Sequence, residues 1–190
     1  MSGSRWSQEA YLKAFRFAAG AHRGQLVPGT EYPYVVHTGM VAMEVMAALV
    51  IEEGLDGNLA VQCALLHDVI EDTGTTFEQV GTAFGLEVAD GVLALSKKKS
   101  LPAPQRLADS LGRIQERPRE VWMVKLADRI TNLQPPPAHW TQSKIASYRR
   151  EAAEILERLG AASGLLAERL AAQIGRYGEF TSEHTTEREE

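Results

Sequence analysis

Cysteine occurs once in the 190 residues, at Cys63, which excludes an intramolecular disulfide and fits a reducing compartment. Basic stripes and basic tails are missing as well. With a formal net charge of −5, the chain lacks the electrostatic footprint of a nucleic-acid binder. No apolar run is long enough to span a bilayer, and Met1 to Trp6 contains no apolar signal core. Internal repeats and alternating apolar–polar runs of useful length are also absent, which argues against half-buried strands. A soluble cytoplasmic protein, long enough for one domain with a substantial core, is the expectation.

What is present reads as helix almost throughout. Nine segments carry helical periodicity: Ser7 (a cap) to about His22, Val36–Glu53, Leu59–Glu71, a short one opened by Thr76-Phe77-Glu78-Gln79 and ending near Gly85, and Leu86–Ser96. A sixth follows Pro102 and Pro104 and ends before Pro118. The rest are Arg119–Leu133, 141–159 and Ser163–Ile174. Residues 23–33, with Gly24, Pro28, Gly29 and Pro33, read as a loop. The third segment is apolar on nearly every face and is expected to be a central, buried helix. The predicted architecture is an all-α bundle of about eight or nine helices in a single domain over residues 1–180. The polar tail over 181–190 reads as disordered.

The chemistry is concentrated in Ala64-Leu65-Leu66-His67-Asp68-Val69-Ile70-Glu71-Asp72-Thr73. Four ionisable side chains fall within six residues of an otherwise apolar stretch, and burying them is costly unless a metal or a partner charge compensates. On a continuous helix His67 pairs with Glu71 and Asp68 with Asp72 at i and i+4. His67 and Asp68 lie about 100° apart around such a helix, so further ligands must come from other helices. His37 and Asp128 are the candidates, each set among apolar neighbours. Two imidazoles and two carboxylates suit Mn, Fe, Co, Ni or Zn. Glu71 and Asp72, one turn beyond, would handle the attacking water or the leaving oxygen. Metal-assisted hydrolysis of a phosphate ester is the reaction class implied, with Lys97, Lys98, Lys99, Lys125 and Arg129 as candidate phosphate-binding cations.

The order His37, His67-Asp68, Asp128 resembles the H…HD…D signature of the HD superfamily of metal-dependent phosphohydrolases. The segments Ala21-His22-Arg23-Gly24-Gln25, Tyr32-Pro33-Tyr34-Val35-Val36-His37 and Val124-Lys125-Leu126-Ala127-Asp128-Arg129-Ile130-Thr131-Asn132-Leu133 are similar to the hydrolase domain of the RelA/SpoT alarmone enzymes and the stand-alone small alarmone hydrolases. The resemblance covers roughly residues 7 to 160. It implies an HD-domain helical bundle and a Mn²⁺-dependent enzyme that removes the 3′-pyrophosphate from guanosine-3′,5′-bis(diphosphate). It also implies that His37, His67, Asp68 and Asp128 hold one divalent metal, that Glu71 and Asp72 are the catalytic pair, and that Lys97, Asn132 and Tyr148 contact the nucleotide. A synthetase domain is not expected, because the chain ends soon after the hydrolase region.

Departures from the family pattern cluster where base and phosphates would be read. Gln25-Leu26-Val27-Pro28-Gly29 stands where a basic cluster usually follows the glutamine. Thr38 stands for a common proline, Thr131 for an aromatic or histidine, and Gln134 with three prolines for a common arginine. Two other readings therefore stay open: hydrolysis of another nucleotide or pyrophosphate compound, and a catalytically idle nucleotide-binding regulatory module. Plainer assignments cover the remaining features. Lys97-Lys98-Lys99 reads more readily as a solvated loop, His22 as a loop anchor, and His139 and His184 as surface residues. Trp122 and Trp140 read as packing residues. The leucines at 156, 159, 165, 166 and 170 fit internal packing, with homo-oligomer formation left open.

Overall fold

A computed structural model describes residues 6–181. Its helices are α1 (Gln8–Ala21), α2 (Val35–Ile51), α3 (Gly57–Leu66), α4 (Val69–Asp72), α5 (Phe77–Phe84), α6 (Leu86–Leu95), α7 (Ala103–Gln115), α8 (Arg119–Asn132), α9 (Gln142–Leu159) and α10 (Gly164–Tyr177). Nine of these have eight residues or more, and no strand occurs among the described residues. His184 and residues 182–190 of the expected tail lie outside the described residues, whereas Thr181 is buried.

The caps follow from the local residues. The Ser7 hydroxyl accepts from the Ala10 N–H, Asp56 accepts from Asn58 and Leu59, and Thr76 and Gln79 form a reciprocal capping box. Helix α3 is the axis of the molecule: Leu59, Ala60, Val61, Cys63, Ala64, Leu65 and Leu66 are all buried, and α1, α2, α6 and α8 pack around it. The α6 contact is close. A Cβ added at Gly91 would stand 2.8 Å from Cys63 Sγ and 3.0 Å from Val121 Cγ2. Burial pushes the Cys63 thiol far above its ordinary range, so it is an inert core residue.

The expected continuous helix from Leu59 to Glu71 is corrected in one respect: it breaks at His67 and Asp68, and α4 is a separate single turn. At Asp68 the backbone opens to φ −105, ψ −3, the sparsely populated bridge region between the helical and extended basins. Neighbours on a straight helix diverge by about 100°; here the break turns the Asp68 carboxylate back to the His67 ring, 2.9 Å from its Nε2.

Candidate metal centre and substrate cleft

Helix α2, the C-cap of α3 and helix α8 each deliver one donor to the same point. His37 Nε2 lies 3.3 Å from His67 Nε2, and Asp128 Oδ1 lies 3.5 Å from the first and 3.7 Å from the second. Donors about 2.1 Å from one ion, in tetrahedral or octahedral array, stand about 3.0–3.4 Å apart, so the observed 3.3, 3.5 and 3.7 Å need to contract by only a few tenths of an ångström around a divalent cation. All three residues are buried. The His67 Nδ1–H donates to the Ala64 carbonyl at 2.8 Å, which fixes the ring and leaves Nε2 as the ligating nitrogen.

Each carboxylate is braced. Asp128 Oδ2 accepts from Lys125 Nζ at 2.9 Å, and its Oδ1 accepts from Asn132 Nδ2 at 2.6 Å. Asp68 is not part of the converging triangle. Its Oδ2 touches both imidazoles from one side, 2.9 Å from His67 Nε2 and 3.8 Å from His37 Nε2, and accepts from the Tyr34 hydroxyl at 2.5 Å. Burial opposes charge on Asp68, and the facing His67 outweighs it, holding the carboxyl well below its usual range. For Asp128 burial is likewise outweighed, by Lys125 and by the two histidines. Burial works against the His67 cation too, but the Asp68 and Asp128 carboxylates and the Ala64 carbonyl push its pKa up to about 9. Burial together with Asp68 drives the Tyr34 phenol far upward, so it remains a donor.

Glu71 and Asp72 form α4, just past the break. Glu71 Oε2 accepts from the Lys97 N–H at 2.7 Å, Lys99 Nζ donates to the Glu71 carbonyl at 2.5 Å, and Lys99 lies 3.7 Å from Asp72. The lysine run thus closes over the acidic pair, although Lys98 turns away to Asp109. Lys125 and Arg129, candidates for phosphate binding, are both buried and engaged: Lys125 with Asp128, Arg129 with Glu151 and over the Tyr148 ring at 4.2 Å. They are internal counter-charges, not surface cations.

A cleft of about 620 Å³ opens beside His37. Asn132 and Tyr148 line it, with Trp140, Tyr177 and Lys144, whereas Lys97 does not. Val27, Pro28, Met40 and Pro135 to Pro137 make the rest of the wall largely apolar. Trp140 lies edge-on to Tyr148 with centroids 5.2 Å apart and belongs to this wall, while Trp122 bonds to the Arg117 carbonyl within the packing. A second hollow, of about 660 Å³ between α1 and α5, touches none of the expected site residues. Tyr34 escaped sequence reasoning because its link to Asp68 spans 34 residues; its place three residues before His37 was the available signal.

A family model described as an HD domain matches residues 14–166. The chain is 31% identical over 164 residues to the guanosine-3′,5′-bis(diphosphate) 3′-pyrophosphohydrolase MESH1 of Xenopus tropicalis, covering 84% of this chain and 89% of that one. Identity to the Homo sapiens MESH1 is 32% over the same length and the same coverage. Among solved structures, a metazoan ortholog of SpoT described as hydrolyzing ppGpp superposes with a TM-score of 0.79 at 27% identity, over 91% of this chain and 98% of its own.

Proposed function

The chain belongs to the HD domain family, and on that footing we propose that it is a metal-dependent phosphohydrolase that removes the 3′-pyrophosphate of guanosine-3′,5′-bis(diphosphate). The observation that carries this reading is the triangle of His37, His67 and Asp128 beside a nucleotide-sized cleft, in a chain similar to MESH1 over most of its length. Asp68 is assigned as the fourth ligand and Mn²⁺ as the metal, since the mixed nitrogen and oxygen set suits it. A cation held there would lower the pKa of its water toward neutrality and draw charge from the phosphoryl oxygens.

The protein's own groups do the rest. Water adds to the phosphorus attached to the 3′ oxygen, that P–O bond breaks, and the 3′ oxygen takes a proton, giving GDP and pyrophosphate. Glu71 and Asp72 are assigned to accept the water's proton and to supply the one the leaving oxygen needs. Glu71 is steadied by the Lys97 N–H, and Asp72 is the more exposed carboxylate. Asn132 and Tyr148 are assigned to the nucleotide, with Trp140 beside Tyr148 as an aromatic wall for the base. Lys97, whose N–H bonds to Glu71, is assigned to the nucleotide from the acidic-pair side of the centre. Cys63, reduced and buried, agrees with a cytoplasmic location, and no described helix is long and apolar enough to cross a membrane.

One observation favours a second substrate. Lys144 is the sole lysine or arginine among the cleft's lining residues, and Pro28 and Pro135 to Pro137 offer no N–H donors to phosphate. A nucleotide or pyrophosphate compound with fewer charges would suit that wall. Pyrophosphate release from a nucleotide panel, with Mn²⁺ bound, separates the two. Turnover of other nucleotides but not of guanosine-3′,5′-bis(diphosphate) would reject the first.

A further inference from the structure

We infer that Tyr34 is a positioning residue for the metal centre: its hydroxyl holds the Asp68 carboxylate in place for the ion. This rests on the metal-centre reading above and extends it to a residue outside the H…HD…D pattern.

The loop between α1 and α2 is built to deliver that hydroxyl. His22 is buried and its Nδ1 lies 2.8 Å from Gln25 Oε1. The Gln25 carbonyl accepts the Tyr34 N–H at 2.9 Å, and Val27 N–H donates to the Tyr32 carbonyl at 2.9 Å, so residues 25–34 fold back on themselves. Pro28 and Gly29 make the turn. The Thr30 N–H reaches the Val27 carbonyl at 3.0 Å, and Gly29 has the φ of +79 that a type II turn places at its third residue. The Tyr34 ring is then caught between the His22 ring, 4.6 Å away, and the His37 ring, 5.3 Å away. From there its hydroxyl reaches Asp68 Oδ2, across 34 residues of sequence.

The need for this donor follows from the bonds of the centre. Asp68 Oδ2 accepts from both Tyr34 and His67 Nε2. A nitrogen that gives its lone pair to a cation has no proton left to donate. Once His67 ligates, the Tyr34 hydroxyl is the remaining donor on Oδ2, and without it Oδ2 loses the bond that fixes the carboxylate's orientation at the helix break. Groups that orient metal ligands in this way typically contribute ten- to hundredfold to metal affinity.

The test is Tyr34→Phe, which keeps the ring and both ring contacts and removes only the hydroxyl. Mn²⁺ binding is measured by calorimetry on wild type, Tyr34→Phe, Asp68→Asn and the double variant, with circular dichroism as a check on folding. The expected results are metal affinity about ten- to hundredfold weaker in Tyr34→Phe, the Mn²⁺ concentration for half-maximal activity raised by a similar factor, and no further loss on adding Tyr34→Phe to Asp68→Asn. Wild-type metal affinity in Tyr34→Phe alongside weakened Asp68→Asn overturns the inference and leaves the coordination standing. Wild-type affinity in both variants overturns the Asp68 assignment and the inference with it. A large loss of kcat at saturating metal with unchanged affinity would make Tyr34 a substrate contact and overturn the positioning role.

Discussion

Lys125 Nζ stands 2.9 Å from Asp128 Oδ2, one turn back on the same helix, and leaves Asp128 Oδ1 facing the two imidazoles. One oxygen is neutralised from inside the protein and the other is kept for the ion. Both side chains are nearly sequestered from solvent, at 7% and 10% exposure. Removing one partner of such a pair leaves an uncompensated buried charge. Lys125→Met should therefore cost the metal-free protein about 3 kcal/mol, and Mn²⁺ should recover much of it by supplying positive charge beside the same carboxylate. Urea unfolding with and without Mn²⁺ measures this. Equal losses in both conditions would show that Lys125 is not the charge balance of the site.

Metal binding should release a proton. With its pKa pushed up to about 9, His67 is a cation in the metal-free protein at neutral pH, and its Nε2 must lose that proton to ligate. The sign for stability follows from the same shift. The folded pKa lies above the ordinary value of 6.5, so the stabilisation from His67 is fully present below that pH and is lost as pH rises through about 9. Asp68 and Asp128 are shifted down, and their contribution is present above the ordinary carboxylate range and lost only in strong acid. Mn²⁺ affinity should rise about tenfold per pH unit between pH 7 and 8, with about one proton released per ion. Calorimetry in buffers of different ionisation enthalpy counts the protons; a count near zero would contradict a charged His67.

How far the residue pattern carried is clear from individual elements. Local signals were enough for the helices: Ser7 and the Thr76–Gln79 box cap where such residues should, because capping depends on neighbours three residues away. The converging donors were legible because ionisable side chains in apolar stretches need a reason to be there. The break at His67 and Asp68 was not, since no proline or glycine marks it and the partners met there, Tyr34 and His37, lie about 30 residues away in sequence. Lys125 and Arg129 read as candidate phosphate cations because a sequence does not show which side of a helix is buried. Tertiary packing, invisible in the local pattern, made them internal counter-ions.

Glu71 and Asp72 should matter to turnover and not to metal. Neither belongs to the converging triangle, and Glu71 is tied to the Lys97 backbone. Glu71→Gln and Asp72→Asn should each lower kcat about a hundredfold or more, with Mn²⁺ stoichiometry unchanged by elemental analysis. Loss of metal from either variant would move that residue into the coordination sphere.

Gly91 supplies a test of the scaffold that leaves the site alone. Helix α6 approaches α3 so closely there that a Cβ would meet Cys63 Sγ at 2.8 Å and Val121 Cγ2 at 3.0 Å, both in the buried core. Gly91→Ala should cost about 1–3 kcal/mol through overpacking, somewhat offset by the better helix propensity of alanine. Urea unfolding should register the loss while Mn²⁺ affinity below the transition stays at the wild-type value. A neutral or stabilising substitution would mean that the α3–α6 contact yields more readily than its packing indicates.

The aromatic wall of the cleft should set affinity for the nucleotide more than the rate of cleavage. Trp140 is half-buried and held edge-on by Tyr148 at 5.2 Å, and Tyr148 is in turn covered by the Arg129 guanidinium at 4.2 Å, so Trp140 offers a held ring to a base. Stacking on such a ring is worth about 1–3 kcal/mol per base, which corresponds to roughly five- to 150-fold in binding. Trp140→Ala should raise KM for guanosine-3′,5′-bis(diphosphate) within that range. Because Trp140 is absent from both the metal triangle and the acidic pair, kcat should change by less than about threefold. Steady-state kinetics with Mn²⁺ bound reads both numbers. A fall in kcat at constant KM would place Trp140 in contact with the reacting end of the substrate and would require the nucleotide to lie the other way round in the cleft.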